Sequence, residues 1–257
     1  MRDASLDRAI DVAGGVAQLA RKIGIRQPSV SNWNRVPAAR VIAVEAATGI
    51  SRQELRPDLY RESENSAVDP LDAARGREYT LLARLLARAP SAALLSEIAQ
   101  CGDDETPLGC AHATLATAAS VATVAAVERE YFELFVGLGR GELLPYGSYY
   151  LTGFLNERPL SRLRDDLAAL GIERVNSNLE PEDHAATLCE IMAGLAIGRF
   201  PASEQAQRDF FEKHVASWMG RMFADLEQAA HARFYGPVGA LGRLFLEIEA
   251  NAFTFTN

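Results

Sequence analysis

The sequence predicts an all-α protein with a small N-terminal module and a larger helical body. Apolar residues recur along the 257-residue chain at the three- and four-residue spacing of amphipathic helices, whereas strand-like alternation is nearly absent. Hydrophobic residues make up 48% of the chain, which is enough for packed cores. The polar stretch 61–70 closes with Pro70 and is typical of a flexible connection between two cores.

The same spacing predicts the helices one by one, and capping and breaking residues place their ends. We expect helices near 5–13, 16–23, 27–34, 38–47, 71–88, 91–99, 108–136, 148–154, 160–170, 182–198, 204–232 and 237–252. The predicted domains are a head over 1–62, a linker over 63–76 and a body over 77–257.

Charge is distributed unevenly between the two predicted domains. The formal net charge of the chain is −8. Residues 1–62 hold ten Lys and Arg against seven Asp and Glu, whereas the rest of the chain holds 16 against 27. A basic head suits a polyanion and an acidic body suits a cationic peptide, although the same surface charge also serves solubility.

The spacing of reactive side chains predicts neither an enzyme nor a metal centre nor a cofactor site. An enzyme would need a nucleophile beside a base, paired carboxylates in a cleft or a set of metal ligands. The four histidines are scattered along the chain at His112, His184, His214 and His231. The three cysteines form no Cys-x-x-Cys pair and lie at Cys101, Cys110 and Cys189. Thiols in this number and spacing are typical of a reducing cytoplasm.

Two segments bear on export and membranes. The N-terminus carries Arg2, Asp3 and Asp7 where a signal peptide needs an unbroken apolar stretch, so we expect a cytoplasmic protein. Residues 106–127 contain no Asp, Glu, Lys or Arg and are long enough to cross a bilayer. They are rich in Ala and Thr, so their transfer into lipid would be poorly favourable. We therefore expect a buried helix and no membrane insertion.

The head contains a helix followed by a tight turn. Val16, Leu19, Ala20 and Ile23 fall on one apolar face of this helix. Gly24 then ends the helix, as glycine commonly does at a C-terminus.

The second helix of this pair starts at Gln27, with Pro28 in its first turn. Val30 and Trp33 share one side of it, which we assign to the core. The other side carries short polar side chains and an arginine: Ser31, Asn32 and Arg35. Such side chains suit base edges and phosphates in a major groove, and they equally suit a solvated face.

Three runs in the head resemble the Cro-like, YdaS-type helix-turn-helix proteins. They are RVPAARV at 35–41, EAATG at 45–49 and ELRPD at 54–58, and the resemblance covers about residues 5–60. It implies DNA contacts by Gln27, Ser29, Ser31, Asn32 and Arg35, with Arg26 and Arg40 placed for phosphate contacts. Such modules usually bind a two-fold site as two copies. A protein-docking role stays open, since a net charge of +3 is modest for DNA binding.

In the body, Tyr131, Leu134 and Phe135 form a stripe near the end of a long helix that breaks at Gly137. By pattern alone this stripe belongs to the core. The run GLGRGE at 137–142 leaves a helix and does not follow a strand. We therefore interpret it as a hinge and not as a phosphate-binding loop.

Two further runs in the body draw attention. The run LPYGSYY at 144–150 places aromatic rings and hydroxyls around a proline and a glycine, which suits peptide recognition as well as packing. The run EPEDH at 180–184 places Pro181 in the first turn of a predicted helix and carboxylates at its positive end. Helix capping is one interpretation of this run, and ligand binding is the other.

The runs YFELF at 131–135, PYGS at 145–148 and EPEDH at 180–184, in this order, resemble the TorD family with its DmsD-like relatives. These are chaperones that bind the twin-arginine leaders of molybdenum-cofactor enzymes before export, and the resemblance spans about residues 77–252. It implies a leader-binding surface formed by Tyr131, Leu134, Phe135, Pro145, Tyr146, Ser148, Asp183 and His184. Asp183, helped by Glu182, is then the expected partner of a leader arginine, because a carboxylate forms charge-assisted hydrogen bonds with a guanidinium.

Three hypotheses follow from the two resemblances. The first is a cytoplasmic chaperone that holds the leader and the immature catalytic subunit of a molybdopterin oxidoreductase, with formate dehydrogenase among the candidate clients. The second is a transcriptional regulator whose TorD-like body senses a ligand and controls binding of operator DNA. The third combines them: client binding releases the protein from DNA, which requires reciprocal coupling. A homodimer is open as well, since the family includes domain-swapped dimers.

Overall fold

A computed structural model describes residues 3–37, 40–57, 68–102, 105–173 and 180–255. These residues form fifteen α-helices and two short π-helical segments and contain no strand, which confirms the all-α prediction. The chain divides into two compact units, residues 1–67 and 68–257.

The first helix of the larger unit begins inside the predicted linker 63–76. It starts at Pro70, because the Asp69 carboxylate accepts a hydrogen bond from the Leu71 amide at 2.8 Å and proline fits the first helical position. Residues 70–76 are therefore helical. The other end of that linker, over 63–67, lies outside the described residues, as does the predicted start of a helix at 38.

The head unit is a cluster of five short helices. Helices α1 to α5 span Ala4–Ala13, Val16–Lys22, Gln27–Ser31, Val41–Thr48 and Arg52–Leu55. The spacing does not predict α5, which is a single turn capped by the Ser51 side chain.

A small apolar core holds the head helices together. Leu6, Leu19, Val30 and Leu55 are fully buried, so the assignments of Leu19 and Val30 to a core face are confirmed. Gly24 has φ 70° in the turn between α2 and α3, a conformation that glycine adopts without strain.

The body unit contains the remaining helices. Helices α6 to α10 span Pro70–Ala87, Ala92–Ala99, Pro107–Val121, Val124–Tyr131 and Gly147–Thr152. Helices α11 to α15 span Arg158–Ala169, Ala185–Ala196, Glu204–Phe210, Met219–Gln228 and Tyr235–Phe255. Helices α9 and α13 continue directly as the π-helical segments Phe132–Val136 and Phe211–Ala216.

The predicted long helix 108–136 was wrong, because the chain breaks between α8 and α9. Ala122 is extended at φ −77° and ψ 143°. The Thr123 hydroxyl then accepts a hydrogen bond from the Ala126 amide at 3.3 Å and caps α9.

The predicted helix 204–232 is interrupted as well. Trp218 leaves helical geometry at φ −149° and ψ −33°, between the second π-helical segment and α14. Its indole is buried and donates a hydrogen bond to the His214 carbonyl at 2.7 Å. The tertiary burial of this ring therefore takes precedence over the helical spacing.

In the described part of the chain, no single helix is both long and apolar enough to cross a membrane. Only α8 and the segment Val124–Val136 taken together reach the required length and composition, and they are bent by 115° at the break.

Helix α12 lies at the centre of the body core. Ten of its twelve residues are buried, and it packs chiefly against α6. Two glycines permit close approach: a Cβ at Gly76 would lie 2.5 Å from the Ile197 side chain, and one at Gly194 would lie 2.4 Å from the Phe200 ring. Residues 180–184 directly precede this closely packed helix.

Candidate peptide-binding site

Two segments that are far apart in the sequence pair with each other just before α12. Tyr146 and His184 form an isolated antiparallel bridge. The Gly147 amide donates to the Asp183 carbonyl at 2.9 Å, and the Ala185 amide donates to the Pro145 carbonyl at 2.8 Å. The structure therefore brings the PYGS and EPEDH runs together.

Asp183 fastens these two segments. Its side chain is 3% exposed, and Oδ2 accepts a hydrogen bond from the Ser148 amide at 2.7 Å. Oδ1 and the Ser148 hydroxyl are buried without a hydrogen-bond partner among the described residues. A Cβ at Gly147 would lie 3.0 Å from the Trp218 indole nitrogen, so a larger residue would require Trp218 to shift slightly. Asp183 therefore holds the two segments together, and its contact with a leader arginine stays a prediction.

His184 is the N-cap of α12. Its Nδ1 accepts a hydrogen bond from the Ala186 amide at 3.1 Å, and its ring meets the Tyr146 ring edge-on at 5.0 Å. Burial lowers the pKa of His184 below its usual value, against the opposing effect of the Glu180 and Asp183 carboxylates. The prediction that a helix opens with Pro181 in its first turn was wrong, because the His184 cap starts the helix at Ala185.

Tyr146 and Glu180 form the solvent-facing part of this assembly. The Tyr146 hydroxyl donates to Glu180 Oε2 at 2.5 Å, and Glu180 is exposed. Partial burial and the neighbouring Glu180 raise the pKa of Tyr146 well above its usual value, so the hydroxyl stays protonated. The pair therefore presents an aromatic ring beside a carboxylate.

Glu182 is held by a partner from the same chain. Arg164 donates to Glu182 Oε2 from Nε at 3.0 Å and from Nη2 at 2.8 Å. The Glu182 side chain is 12% exposed. This pairing leaves Glu180 as the exposed carboxylate of the run 180–184.

The stripe of Tyr131, Leu134 and Phe135 points into the body core. Leu134 is fully buried, and the Tyr131 hydroxyl donates to the Leu86 carbonyl at 3.1 Å. The Tyr131 and Phe135 rings pack against Tyr235, with centroids 6.0 and 5.4 Å away. Burial raises the pKa of Tyr131 to about 12. The stripe thus forms a wall of the core.

The exposed apolar side chains of this helix are different ones. Phe132 is 41% exposed and Val136 is 50% exposed on the π-helical segment. Sequence reasoning missed them because they lie off the three- and four-residue stripe. A π-helical turn displaces side chains from α-helical spacing, and the sequence carries no local sign of that turn.

The loop 180–184 separates two cavities of similar size. One, of about 610 Å³, is lined by Glu180 and Glu182 together with residues of α11 and α12. The other, of about 570 Å³, is lined by Asp183, Gly147 and Trp218 among others. Side chains from one short loop therefore contribute carboxylates to both.

The predicted DNA-contacting residues of the head lie on its surface. Gln27, Ser29, Ser31, Asn32 and Arg35 are all exposed, as are Arg26 and Arg40. Helix α3 ends at Ser31, earlier than predicted, so Asn32 and Arg35 follow the helix instead of lying on it.

The positions of metal-ligating side chains and of the three cysteines complete the description of the body. They contain no group of three or more His, Cys, Asp or Glu side chains placed to hold a metal ion. Cys101 and Cys110 are exposed thiols, and Cys189 is a buried one.

The fold is that of a two-part, all-α protein: a helix-turn-helix unit, followed by a helical body that carries the candidate site. Two family models match these parts. Residues 6–64 match the model described as bacterial toxin YdaS, and residues 102–224 match the model described as nitrate reductase delta subunit.

Individual relatives agree with these matches. The chain is 34% identical to chaperone protein TorD of Vibrio cholerae serotype O1 over 127 residues, which are 46% of this chain and 56% of that protein. It is 28% identical to chaperone protein TorD of Aliivibrio salmonicida over 130 residues, or 47% and 60% of the two chains. It is 39% identical to YdaS of Escherichia coli over 61 residues, or 21% and 62%. The chain spans somewhat more than half the length of these relatives, and both predicted resemblances, to TorD and to YdaS, are confirmed.

Proposed function

We propose that this protein is a cytoplasmic chaperone for a molybdopterin oxidoreductase that carries a twin-arginine leader. It binds the leader and the immature catalytic subunit during cofactor insertion and catalyses no reaction itself. Similarity to TorD chaperones over about half of the chain supports this function. The structural observation that carries it is the pair of Tyr146 and Glu180, an aromatic ring beside an exposed carboxylate.

The chemistry of this pair suits an arginine side chain. A guanidinium binds a carboxylate through charge-assisted hydrogen bonds and also stacks on an aromatic ring. Glu180 supplies the charge and Tyr146 supplies the ring. Asp183, the arginine partner expected from the resemblance, holds the turn that carries Tyr146, and we propose a positioning role for it.

The residues implied by the resemblance divide by position. Tyr146 contacts the leader directly. The residues that position it are Pro145, Ser148, Asp183 and His184. The residues that form the core wall of the same unit are Tyr131, Leu134 and Phe135.

An exposed apolar group supports contact with an immature subunit. At and after the end of α10, Leu151, Phe154 and Leu155 are 42%, 69% and 43% exposed. Exposed apolar side chains that lie together commonly mark protein interaction sites. Such a surface suits a client that has not yet buried its own apolar residues.

Leader titration tests this function. Labelled twin-arginine leaders of several molybdenum enzymes, formate dehydrogenases included, would be titrated by fluorescence anisotropy. We expect Glu180→Gln to weaken binding by about tenfold, because hydrogen bonds to charged groups contribute roughly 1.5–3 kcal/mol. The control Glu212→Gln removes an exposed carboxylate from the second π-helical segment and should change nothing. If no leader binds to the wild-type protein, the chaperone function is wrong.

A second function has its own observation. Three of the polar side chains implied to contact DNA, Gln27, Ser29 and Ser31, are exposed on α3, whereas Val30 of that helix is fully buried. This division is the one a recognition helix needs. We therefore propose operator-DNA binding by the head, either alone or coupled to client binding, and a homodimer as the state that would match a two-fold site.

A further inference from the structure

The larger of the two cavities beside the loop 180–184 is a cleft between α11 and α12, here called the acidic cleft. Its volume is about 610 Å³. Its apolar lining consists of Leu167, Ile172, Ile191 and Phe200. Glutamates also line the cleft. It therefore combines an apolar floor with a charged rim.

The rim carries more negative than positive charge. Among the residues that the structure describes, four glutamates and two arginines line the cleft. One pair, Glu182 with Arg164, is bonded at 2.8 Å, and its charges offset each other. Glu173 and Glu190 also line the cleft, together with Arg199, and all three are exposed. This excess of carboxylates favours a cationic occupant and disfavours a polyanion.

The floor of the cleft is preformed. Leu167 and Ile191 belong to the body core and are 7% and 6% exposed. Phe200 lies on Gly194, where a Cβ would come within 2.4 Å of its ring, and its amide donates to the Gly194 carbonyl at 3.2 Å. An apolar segment that binds here meets a surface whose side chains are already held in place, so little ordering free energy is lost.

We infer that the acidic cleft seats the apolar stretch of a cationic client peptide, with basic side chains of that peptide along the glutamate rim. This inference rests on the proposed function. It adds that the leader extends from Tyr146 into the acidic cleft. Glu180 contacts Tyr146 and also lines the cleft, so one extended chain can pass from the aromatic contact into the cleft. A leader with arginines next to an apolar stretch matches this sequence of surfaces.

Filling the cleft tests the inference directly. Ala168 is an exposed residue of α11 that lines the cleft, whereas its exposed neighbour Ala169 does not. We expect Ala168→Trp to weaken leader binding by about tenfold, because the indole occupies the space of the peptide, and Ala169→Trp to leave it within about twofold of wild type. Thermal unfolding of both variants checks that each is folded.

A charge variant and a modified leader complete the test. Glu190→Gln, at an exposed rim position, should weaken leader binding by about threefold, and Glu212→Gln should not. A leader whose apolar stretch is replaced by Ser and Gly should bind wild type and Ala168→Trp equally.

The outcomes separate the inference from the proposed function. Suppose that the wild-type protein binds leaders and that Glu180→Gln lowers the affinity. If Ala168→Trp and Glu190→Gln then bind leaders with wild-type affinity, the leader does not bind in the cleft and the inference is overturned. Sedimentation that shows a dimer disrupted by Ala168→Trp would also overturn it, because a second copy would then fill the cleft. Absence of any leader binding would overturn the proposed function itself.

Discussion

At the scale of single residues, Glu180 and Asp183 differ in burial, and the roles that we propose for them follow from that difference. Glu180 is exposed and bonded to the Tyr146 hydroxyl, whereas Asp183 is 3% exposed and bonded to the Ser148 amide. A carboxylate that stays in water can receive a cationic ligand without an opening of the fold. A buried one that already holds a backbone amide instead stabilises the geometry around it.

Substitution of Asp183 separates these roles. We expect Asp183→Ala to lower the free energy of unfolding by about 1–3 kcal/mol, because the buried Ser148 amide loses its partner. Asp183→Asn keeps an acceptor oxygen and should restore most of that stability. Urea unfolding measures both, with the exposed Asp165→Ala as a control that changes stability little.

Leader affinity gives the decisive comparison for this residue. If Asp183→Asn is as stable as wild type and binds leaders as tightly, its charge does not contact the leader. A stable Asp183→Asn variant with strongly reduced affinity would show direct contact and contradict the positioning role.

At the scale of helices, an ion pair between a partly buried arginine and a buried glutamate joins the first and last helices of the body. Arg75 of α6 donates to the two Glu249 oxygens of α15 at 2.8 and 3.0 Å, and the Tyr79 hydroxyl donates to one of them at 3.0 Å. Glu249 is 2% exposed. Removal of one partner from such a pair leaves the other charge buried, which is costly.

We therefore expect Glu249→Ala to destabilise the body by about 3 kcal/mol, the lower end of the range for broken buried pairs, since Arg75 keeps Asp72 at 2.7 Å. Glu247→Ala removes an exposed carboxylate that pairs with Arg243 and should cost under about 0.5 kcal/mol. Chemical denaturation of the two variants makes the comparison. If Glu249→Ala and Glu247→Ala lower the free energy of unfolding equally, the pair of Arg75 and Glu249 stabilises the body no more than a surface pair does.

Helix positions were largely predictable, and helix breaks were not. The ends of α1, α6 and α7 fall within about two residues of prediction, because their capping residues act locally. The break at Ala122 has no glycine or proline beside it, and the break at Trp218 has only Gly220, which lies inside α14, so spacing alone extends the helices through both. At Trp218 the deciding factor is the burial of a large ring, which depends on the rest of the body.

At the scale of the whole molecule, the chain joins a YdaS-like unit to a TorD-like unit. The combined hypothesis requires that DNA and leader change each other's affinity by the same factor. We expect the full-length protein to bind operator DNA in a salt-sensitive manner and Arg35→Ala to weaken that binding. Saturating leader should then lower DNA affinity as much as saturating DNA lowers leader affinity.

Anisotropy titrations with labelled DNA, with and without leader, measure this coupling, and Glu180→Gln is the matched control for the leader side. Independent binding of DNA and leader would exclude the combined model while leaving each separate function in place. If the wild-type protein binds no DNA at any salt concentration tested, the head would instead have a protein-docking role.

The sequence by itself determined the helical class, the order of the motifs and both resemblances, because periodicity, capping and motif spacing are properties of neighbouring residues. Only the tertiary structure decided which of the motif residues face water. Asp183 is buried because residues 145–148 and Trp218 close over it, and Tyr131 turns inward because the Leu86 carbonyl and Tyr235 lie there. The acidic cleft was also decided by the tertiary structure. Its lining residues belong to α11, to α12 and to the segments before and after α12, and these come together only when the body folds.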